Sequence, residues 1–272
     1  MRAAAALQSG EVLVSNDGGL GWRTTLPLPD RPLVTALLLM PRALLVGTAG
    51  RGLVRADGAD RWLPASPGLP LGRTVLTLAH HDGVVLAGTL RAGVFRSTDG
   101  GQRWSPANTG LPLHGEGLEV SQLAVTPGRW YALHPFGISE SRDGGLRWHA
   151  VAAGLPPHRG PSVLAVAGGV LYADVGHDVY RLGVQARWLP GAAQTPIRLV
   201  GHAGDALLGV LSGSRSLRIS SDAGATWRGY RRGFPPGVTA TAVEATLHAV
   251  LVALDGEGLW GRRIPPEPDA VG

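Results

Sequence analysis

Ser97-Thr98-Asp99-Gly100-Gly101-Gln102-Arg103-Trp104 is the clearest copy of a phrase that recurs through the chain. Ser15 to Trp22, Ser141 to Trp148 and Ser220 to Trp227 repeat the pattern Ser-x-Asp-x-Gly-x-x-Trp, with Asp17 and Gly19, Asp143 and Gly145, and Asp222 and Gly224 at its fixed places. Two eroded copies keep less: Arg55 to Trp62 retains Asp57, and Arg181 to Trp188 retains little beyond Trp188. The six tryptophans stand 40, 42, 44, 40 and 39 residues apart. A fixed period near 40 marks a repeat architecture, in which each unit buries its apolar face against the next.

The residue types in the phrase describe a tight turn. An Asp carboxylate accepts bonds from the backbone N–H groups of a turn, and a Ser hydroxyl adds a second local bond. The fifth-position Gly supplies a positive φ at low cost. The Trp buries a large apolar area while its N–H finds an acceptor. Metal or acid/base chemistry is the other use of such carboxylates. Six catalytic centres in one small chain make no chemical sense, whereas six structural turns do.

The phrase resembles the Asp-box, or bacterial neuraminidase repeat, shared by sialidases, some xyloglucan-degrading glycosidases, sortilin-type receptors and photosystem II assembly factors. In those families it lies on the outer rim of a β-propeller, away from the active face. The resemblance covers nearly the whole chain through its period. It implies an all-β chain forming a single propeller of four-stranded antiparallel blades, with the phrase at each C–D hairpin. It implies no particular activity, because enzymes and non-enzymes both carry it.

The segments between the phrases read the same way. In the second unit Leu33 to Leu39, Ala43 to Thr48 and Gly52 to Arg55 form three short apolar runs, and Trp62 opens a fourth. Each is bounded by Gly, Pro or Asp, as strands are, and they are called A to D here. Many runs are apolar throughout, which fits sheets covered on both faces by neighbours. A second phrase follows strand D: Gly68-Leu69-Pro70, Gly110-Leu111-Pro112, Gly154-Leu155-Pro156 and Gly233-Phe234-Pro235. It marks the crossing to the next blade, since Pro prevents further strand pairing. The start of the chain supplies strands B, C and D, and its finish supplies A, B and C. Five whole units and two partial ones predict seven blades, with six merged-end blades as the alternative. The propeller is expected over residues 1–264, with a disordered tail over 265–272.

The formal charge is +5, and all 25 basic residues are Arg. An anionic partner would explain this. So would a genome that favours Arg codons, and no basic run exceeds two residues. The absence of cysteine excludes disulfides and thiolate chemistry. No run is apolar and long enough to span a bilayer. The first residues are too short a leader, so the chain reads as soluble, cytoplasmic, or exported if a further segment precedes it.

Polar side chains from distant repeats converge only on the B–C and D–A loops, which surround one mouth of a propeller. The candidates there are Arg51, Arg91, His134, His177, Asp178, Arg215 and Glu257 on B–C loops, and His114 and Arg159 on D–A loops. Guanidinium groups there suit a carboxylate or phosphate. The expected role is a non-catalytic binding or assembly module, monomeric, taking a protein or an anionic or carbohydrate ligand. No metal, cofactor or nucleic acid is expected. A sialidase-like glycosidase is the alternative. It would need an Arg triad, a Tyr–Glu pair and an acidic Asp. The Phe-Arg-Ile-Pro-type motif of sialidases is absent, and only four Tyr occur. Two or three Arg around a Tyr–Glu pair in the channel would favour that enzyme. The adjacent His80-His81-Asp82 reads as a polar hairpin turn, because consecutive strand residues point to opposite faces.

Overall fold

The structure, a computed structural model, describes residues 3–7, 9–17, 21–25, 27–56, 61–112, 118–183, 185–191, 196–203, 205–211, 217–230, 240–245, 249–254 and 258–263, the last three segments as backbone only. Asp57, Gly19, His114, Arg215, Glu257, the Gly233 phrase and the expected tail lie outside these residues.

Among the described residues the chain forms seven antiparallel sheets, five of four strands and two of three. The first holds β1 (Ala3–Ala6), β2 (Val12–Ser15) and β3 (Arg23–Thr24). The second holds β4 (Val34–Leu39), β5 (Leu44–Thr48), β6 (Gly52–Ala56) and β7 (Leu63–Pro64). The third holds β8 (Val75–His81), β9 (Val84–Thr89), β10 (Val94–Ser97) and β11 (Ser105–Pro106). The fourth holds β12 (Gln122–Thr126), β13 (Arg129–His134), β14 (Gly137–Ser141) and β15 (His149–Ala150). The fifth holds β16 (Val163–Ala167), β17 (Val170–Val175), β18 (Asp178–Leu182) and β19 (Trp188–Pro190). The sixth holds β20 (Ile197–Ala203), β21 (Ala206–Leu211), β22 (Leu217–Ser220) and β23 (Arg228–Gly229). The seventh holds β24 (Ala240–Ala245), β25 (Ala249–Leu254) and β26 (Gly258–Arg263).

Strands follow one another in chain order within every sheet. The all-β meanders, packed on one another within each compact unit, are the blades of a β-propeller. The terminal sheets carry B–C–D and A–B–C, as the strand runs at the two ends predict. By internal contacts the chain divides into two compact units. One comprises Arg2–Ser15 and Trp22–Ala152, with the first four sheets. The other comprises Asn16–Gly21 and Ala153–Gly272, with the last three.

The two recurring phrases are the two halves of one joint between successive blades. Trp104 donates its indole N–H to the Ala65 carbonyl and its backbone N–H to the Pro67 carbonyl, each at 2.9 Å. Trp148 does the same to Ala107 and Thr109, both at 2.9 Å. The Gly of the Gly-Leu-Pro phrase sits against this joint. Gly110 has φ +88, and a Cβ there would lie 2.2 Å from the Trp148 carbonyl oxygen. Only glycine fits. Around the joints Leu45, Leu53, Val85, Phe95 and Trp104 make one core cluster, and Leu86, Val94, Leu118, Val120, Trp130 and Trp148 another.

The Ser-x-Asp-x-Gly turn closes the C–D hairpins of the third, fourth and sixth sheets as expected. Asp99 Oδ1 accepts from the Ser97 hydroxyl at 2.8 Å, Gln102 N–H at 2.9 Å and Arg103 N–H at 3.0 Å. Ser97 Oγ in turn accepts Gly101 N–H at 2.9 Å. Asp143 and Ser141 repeat the arrangement, as do Asp222 and Ser220. Asp17 accepts Gly21 N–H at 2.9 Å. Gly101 packs so tightly on Leu45 of the preceding sheet that a Cβ would come within 2.5 Å of it.

Candidate functional site

These turns use up their carboxylates. Burial alone would raise the Asp99 and Asp143 carboxyls, but the backbone and Ser hydrogen bonds outweigh it and hold both below the ordinary value. Asp222 is lowered to about 2, first by the Thr226 hydroxyl and N–H and then by Ser220. A carboxylate held ionised by fixed turn donors is a poor general acid. The turns also stand at the sheet edge opposite the B–C hairpins.

The B–C and D–A edge is different. Arg51 lies exposed in the turn between β5 and β6 and pairs with Asp30, also exposed. Arg91 is exposed in the turn between β9 and β10. Backbone bonds tie the loops of this edge into a strip. Ala49 N–H reaches the Leu33 carbonyl, Gly50 N–H the Thr74 hydroxyl, and Leu90 N–H the Thr74 carbonyl. Gly93 N–H then reaches the Leu118 carbonyl, and Ser121 N–H the Leu133 carbonyl.

In the other unit, His177 occupies the turn between β17 and β18 at φ +74. Its N–H donates to Asp174 Oδ1 at 3.1 Å, and Asp178 begins the next strand, exposed. The Arg159 side chain lies against the Gly176 backbone of the same turn. Arg159, His177 and Asp178 therefore come together there, as Arg51 and Arg91 do on successive turns of the first unit.

His134 departs from the expectation of a rim side chain. It ends β13, is 5% exposed, and its Nε2 sits 2.9 Å from Ser139 Oγ across the hairpin. Burial lowers its pKa to about 4, so it is neutral at ordinary pH. Thr48 and Thr89 hold the corresponding place in the second and third sheets, bonding the Gly52 and Gly93 carbonyls. A side chain at this register faces into the hairpin rather than out of the loop.

Sequence reasoning missed two features. The first is a buried Glu140, whose carboxylate takes Arg129 at 3.0 Å and Arg142 at 2.5 Å, with Tyr131 directly opposite in the register. Burial would raise the Glu140 carboxyl, but the two guanidinium groups outweigh it and lower it. Burial raises the Tyr131 hydroxyl. This is a Tyr–Glu pair with two Arg, yet Tyr131 is 2% and Glu140 4% exposed. It also stands at the A–B and C–D edge, away from the mouth loops, so no sugar ring reaches the phenol. Folding the hairpin about Pro135-Phe136 would have put the pair together, but nothing in the sequence signals the burial.

The second is the distribution of exposed apolar side chains. Of the six exposed large hydrophobic residues among those described, Leu7, Leu33, Leu71, Leu90 and Phe136 fall on the B–C and D–A edge, and Leu146 on the C–D edge. Among the described residues no group of three His, Cys, Asp or Glu could hold a metal ion. His80, His81 and Asp82 form a hairpin end, with Asp82 at φ +46 and His81 edge-on to Trp130. No helix among the described residues is long and apolar enough to cross a membrane.

No family model matches the chain, and no curated protein matches it. Solved structures do. YCF48 bound to D1 peptide is 15% identical, with a TM-score of 0.74 over 97% of this chain and 90% of that one. The GH74 xyloglucanase from Xanthomonas campestris is 17% identical, with a TM-score of 0.73 over 96% of this chain and 50% of its own. Catalytically inactive virginiamycin B lyase from Staphylococcus aureus with quinupristin is 13% identical, with a TM-score of 0.69 over 96% and 98%. At these identities the likeness shows the β-propeller fold alone.

Proposed function

We propose that the chain is a non-catalytic propeller of the Asp-box class that binds a protein partner through its B–C and D–A loops. The observation that carries this reading is the gathering on that edge of five of the six exposed large apolar side chains among the described residues. Exposed apolar groups cost free energy unless a partner covers them, and clusters of them mark interaction sites. The motif carboxylates are committed to turns, and the Tyr131–Glu140 pair is buried, so neither offers a hydrolytic centre. The solved YCF48 structure holds a D1 peptide, which agrees with a propeller that takes a polypeptide. Arg51, Arg91, Arg159, His177 and Asp178 are the proposed polar contacts, with Arg215, Glu257 and His114 joining them by their place in the repeat.

Panning a random peptide library against the intact chain tests this. Peptides should be enriched, and Arg51→Gln with Arg91→Gln should weaken them while leaving the melting temperature unchanged. Hydrolysis of a sialoside or of xyloglucan, abolished by a substitution at Asp178 or Glu257, would replace the reading with a glycosidase. Failure to enrich any peptide would overturn it.

A further inference from the structure

We infer that the edge of the unit Arg2–Ser15 with Trp22–Ala152 is a docking strip for a peptide segment carrying apolar side chains flanked by carboxylates. The inference rests on the binding role above and names the partner's chemistry. Leu71 is 98% exposed at the crossing from the second sheet to the third. Leu33 precedes β4, Leu90 opens the turn after β9, and Phe136, 60% exposed, caps the turn after β13. The bonds from Ala49 N–H to the Leu33 carbonyl, from Gly50 N–H to the Thr74 hydroxyl, from Leu90 N–H to the Thr74 carbonyl, from Gly93 N–H to the Leu118 carbonyl and from Ser121 N–H to the Leu133 carbonyl place these loops side by side. Four apolar groups on adjoining turns thus form a row rather than scattered exposures. Phe136 also tilts against the His134 ring, with 6.3 Å between centroids.

Charge selects the occupant. Arg51 and Arg91 flank the row on successive turns, and both are exposed. The carboxylates on the same described loops are Asp30, paired with Arg51, and Glu119, half-buried between Leu118 and Val120. A second copy of this chain would set like charges against each other. A bilayer would bury the peptide groups of the turns at 49–51, 72–74 and 90–92 in acyl chains that offer no hydrogen bonds. A polypeptide with acidic flanks satisfies both demands. Its apolar side chains cover Leu71 and Leu90, its carboxylates meet the guanidinium groups bidentately, and its own backbone bonds the turns. The apolar anchors supply most of the binding and the charges steer the encounter.

Three fluorescein-labelled peptides of about twelve residues would test this by anisotropy, a length that reaches across several turns. One alternates Leu or Phe with Glu, one replaces the apolar residues by Ser, and one replaces Glu by Lys. The Leu–Glu peptide should bind most tightly. Leu71→Ser with Leu90→Ser should weaken it about tenfold, as loss of central anchors does, with only a small fall in melting temperature, since Leu71 is 98% exposed and Leu90 38%. The Ser–Glu peptide binding equally well, or the double variant binding normally, overturns the inference. Equal binding by the Leu–Lys peptide, lost in the double variant, keeps partner binding at this edge and overturns the acidic chemistry. Displacement of the peptide by phosphatidylserine vesicles, or a dimer that the double variant dissociates in sedimentation, assigns the strip to a membrane or to self-association instead. Failure of all three peptides together with empty panning overturns the binding role itself.

Discussion

Within one turn, Asp99 and Ser97 divide the work, and burial decides how much each contributes. Asp99 is exposed, so water replaces part of what its carboxylate gives to Gln102 and Arg103. Ser97 is 2% exposed and its oxygen satisfies the buried Gly101 N–H. Asp99→Ala is expected to cost about 1 kcal/mol, and Ser97→Ala about 1–2 kcal/mol through the orphaned donor. Trp104→Ala should cost about 3–5 kcal/mol by the cavity it leaves. Urea unfolding of the three variants checks the order, and a larger loss for Asp99→Ala than for Trp104→Ala would make the carboxylate more than a turn fastener. Titration separates a further residue. Native His134 has its pKa lowered to about 4 from 6.5, so its stabilising neutral state is intact above 6.5 and is lost as pH falls towards 4. Burial pushes His202 the same way. The turn carboxylates begin to lose their contribution only below their ordinary value near 3.8, and for Asp222 the loss runs from there down to about 2. His134→Thr, matching Thr48 and Thr89, should therefore flatten the fall in melting temperature between pH 6.5 and 4. An unchanged pH profile would show that His134 is not what weakens the fold there.

At the level of strands and turns, the joint between blades sets what can be substituted. A methyl group at Gly110 meets the Trp148 carbonyl at 2.2 Å, whereas one at Gly128, at φ +71, meets nothing within 4 Å. Both positions impose the same backbone penalty for a side chain, about 1 kcal/mol. Gly110→Ala should therefore cost about 3 kcal/mol or more, because the blade joint must shift, and Gly128→Ala only about 1 kcal/mol. Equal losses by chemical denaturation would mean that the joint yields freely. This scale is where the sequence was most legible. The Trp period, the Gly-Leu-Pro phrase and the alternation of short apolar runs each mark one half of a contact that the fold completes. It was less legible where a residue's direction matters. His134 sits beside a loop in sequence but turns into the hairpin in space. Glu140 looks like a surface residue until Arg129 and Arg142 close over it. Strand register decides both, and one residue of offset reverses the answer.

Across the whole molecule, identity of partner is carried by what the repeats do not share. The joint recurs from blade to blade, so it says nothing of function; Phe136 has no aromatic counterpart in the other repeats, and leucine at the Leu71 place and arginine in the B–C turn stand in some repeats and not in others. The charge of +5, carried by Arg with no Lys in the chain, gains a use only when Arg51 and Arg91 are found exposed on adjoining turns. Their field should concentrate an acidic partner and speed its association. Exposed charges are screened within about 8–10 Å near physiological salt, so the effect should fall steeply as salt rises. Replacing Arg51, Arg91 and Arg215 by Gln should slow association of the Leu–Glu peptide at low salt and flatten its salt dependence. Dissociation should change little, because the apolar row that holds the bound state is untouched. Stopped-flow traces at several salt concentrations separate the two rates. If the triple variant keeps the original salt slope, the arginines take no part in steering, and their abundance reflects codon composition alone. If dissociation quickens instead, the guanidinium groups hold the partner directly, and the apolar row is secondary to them.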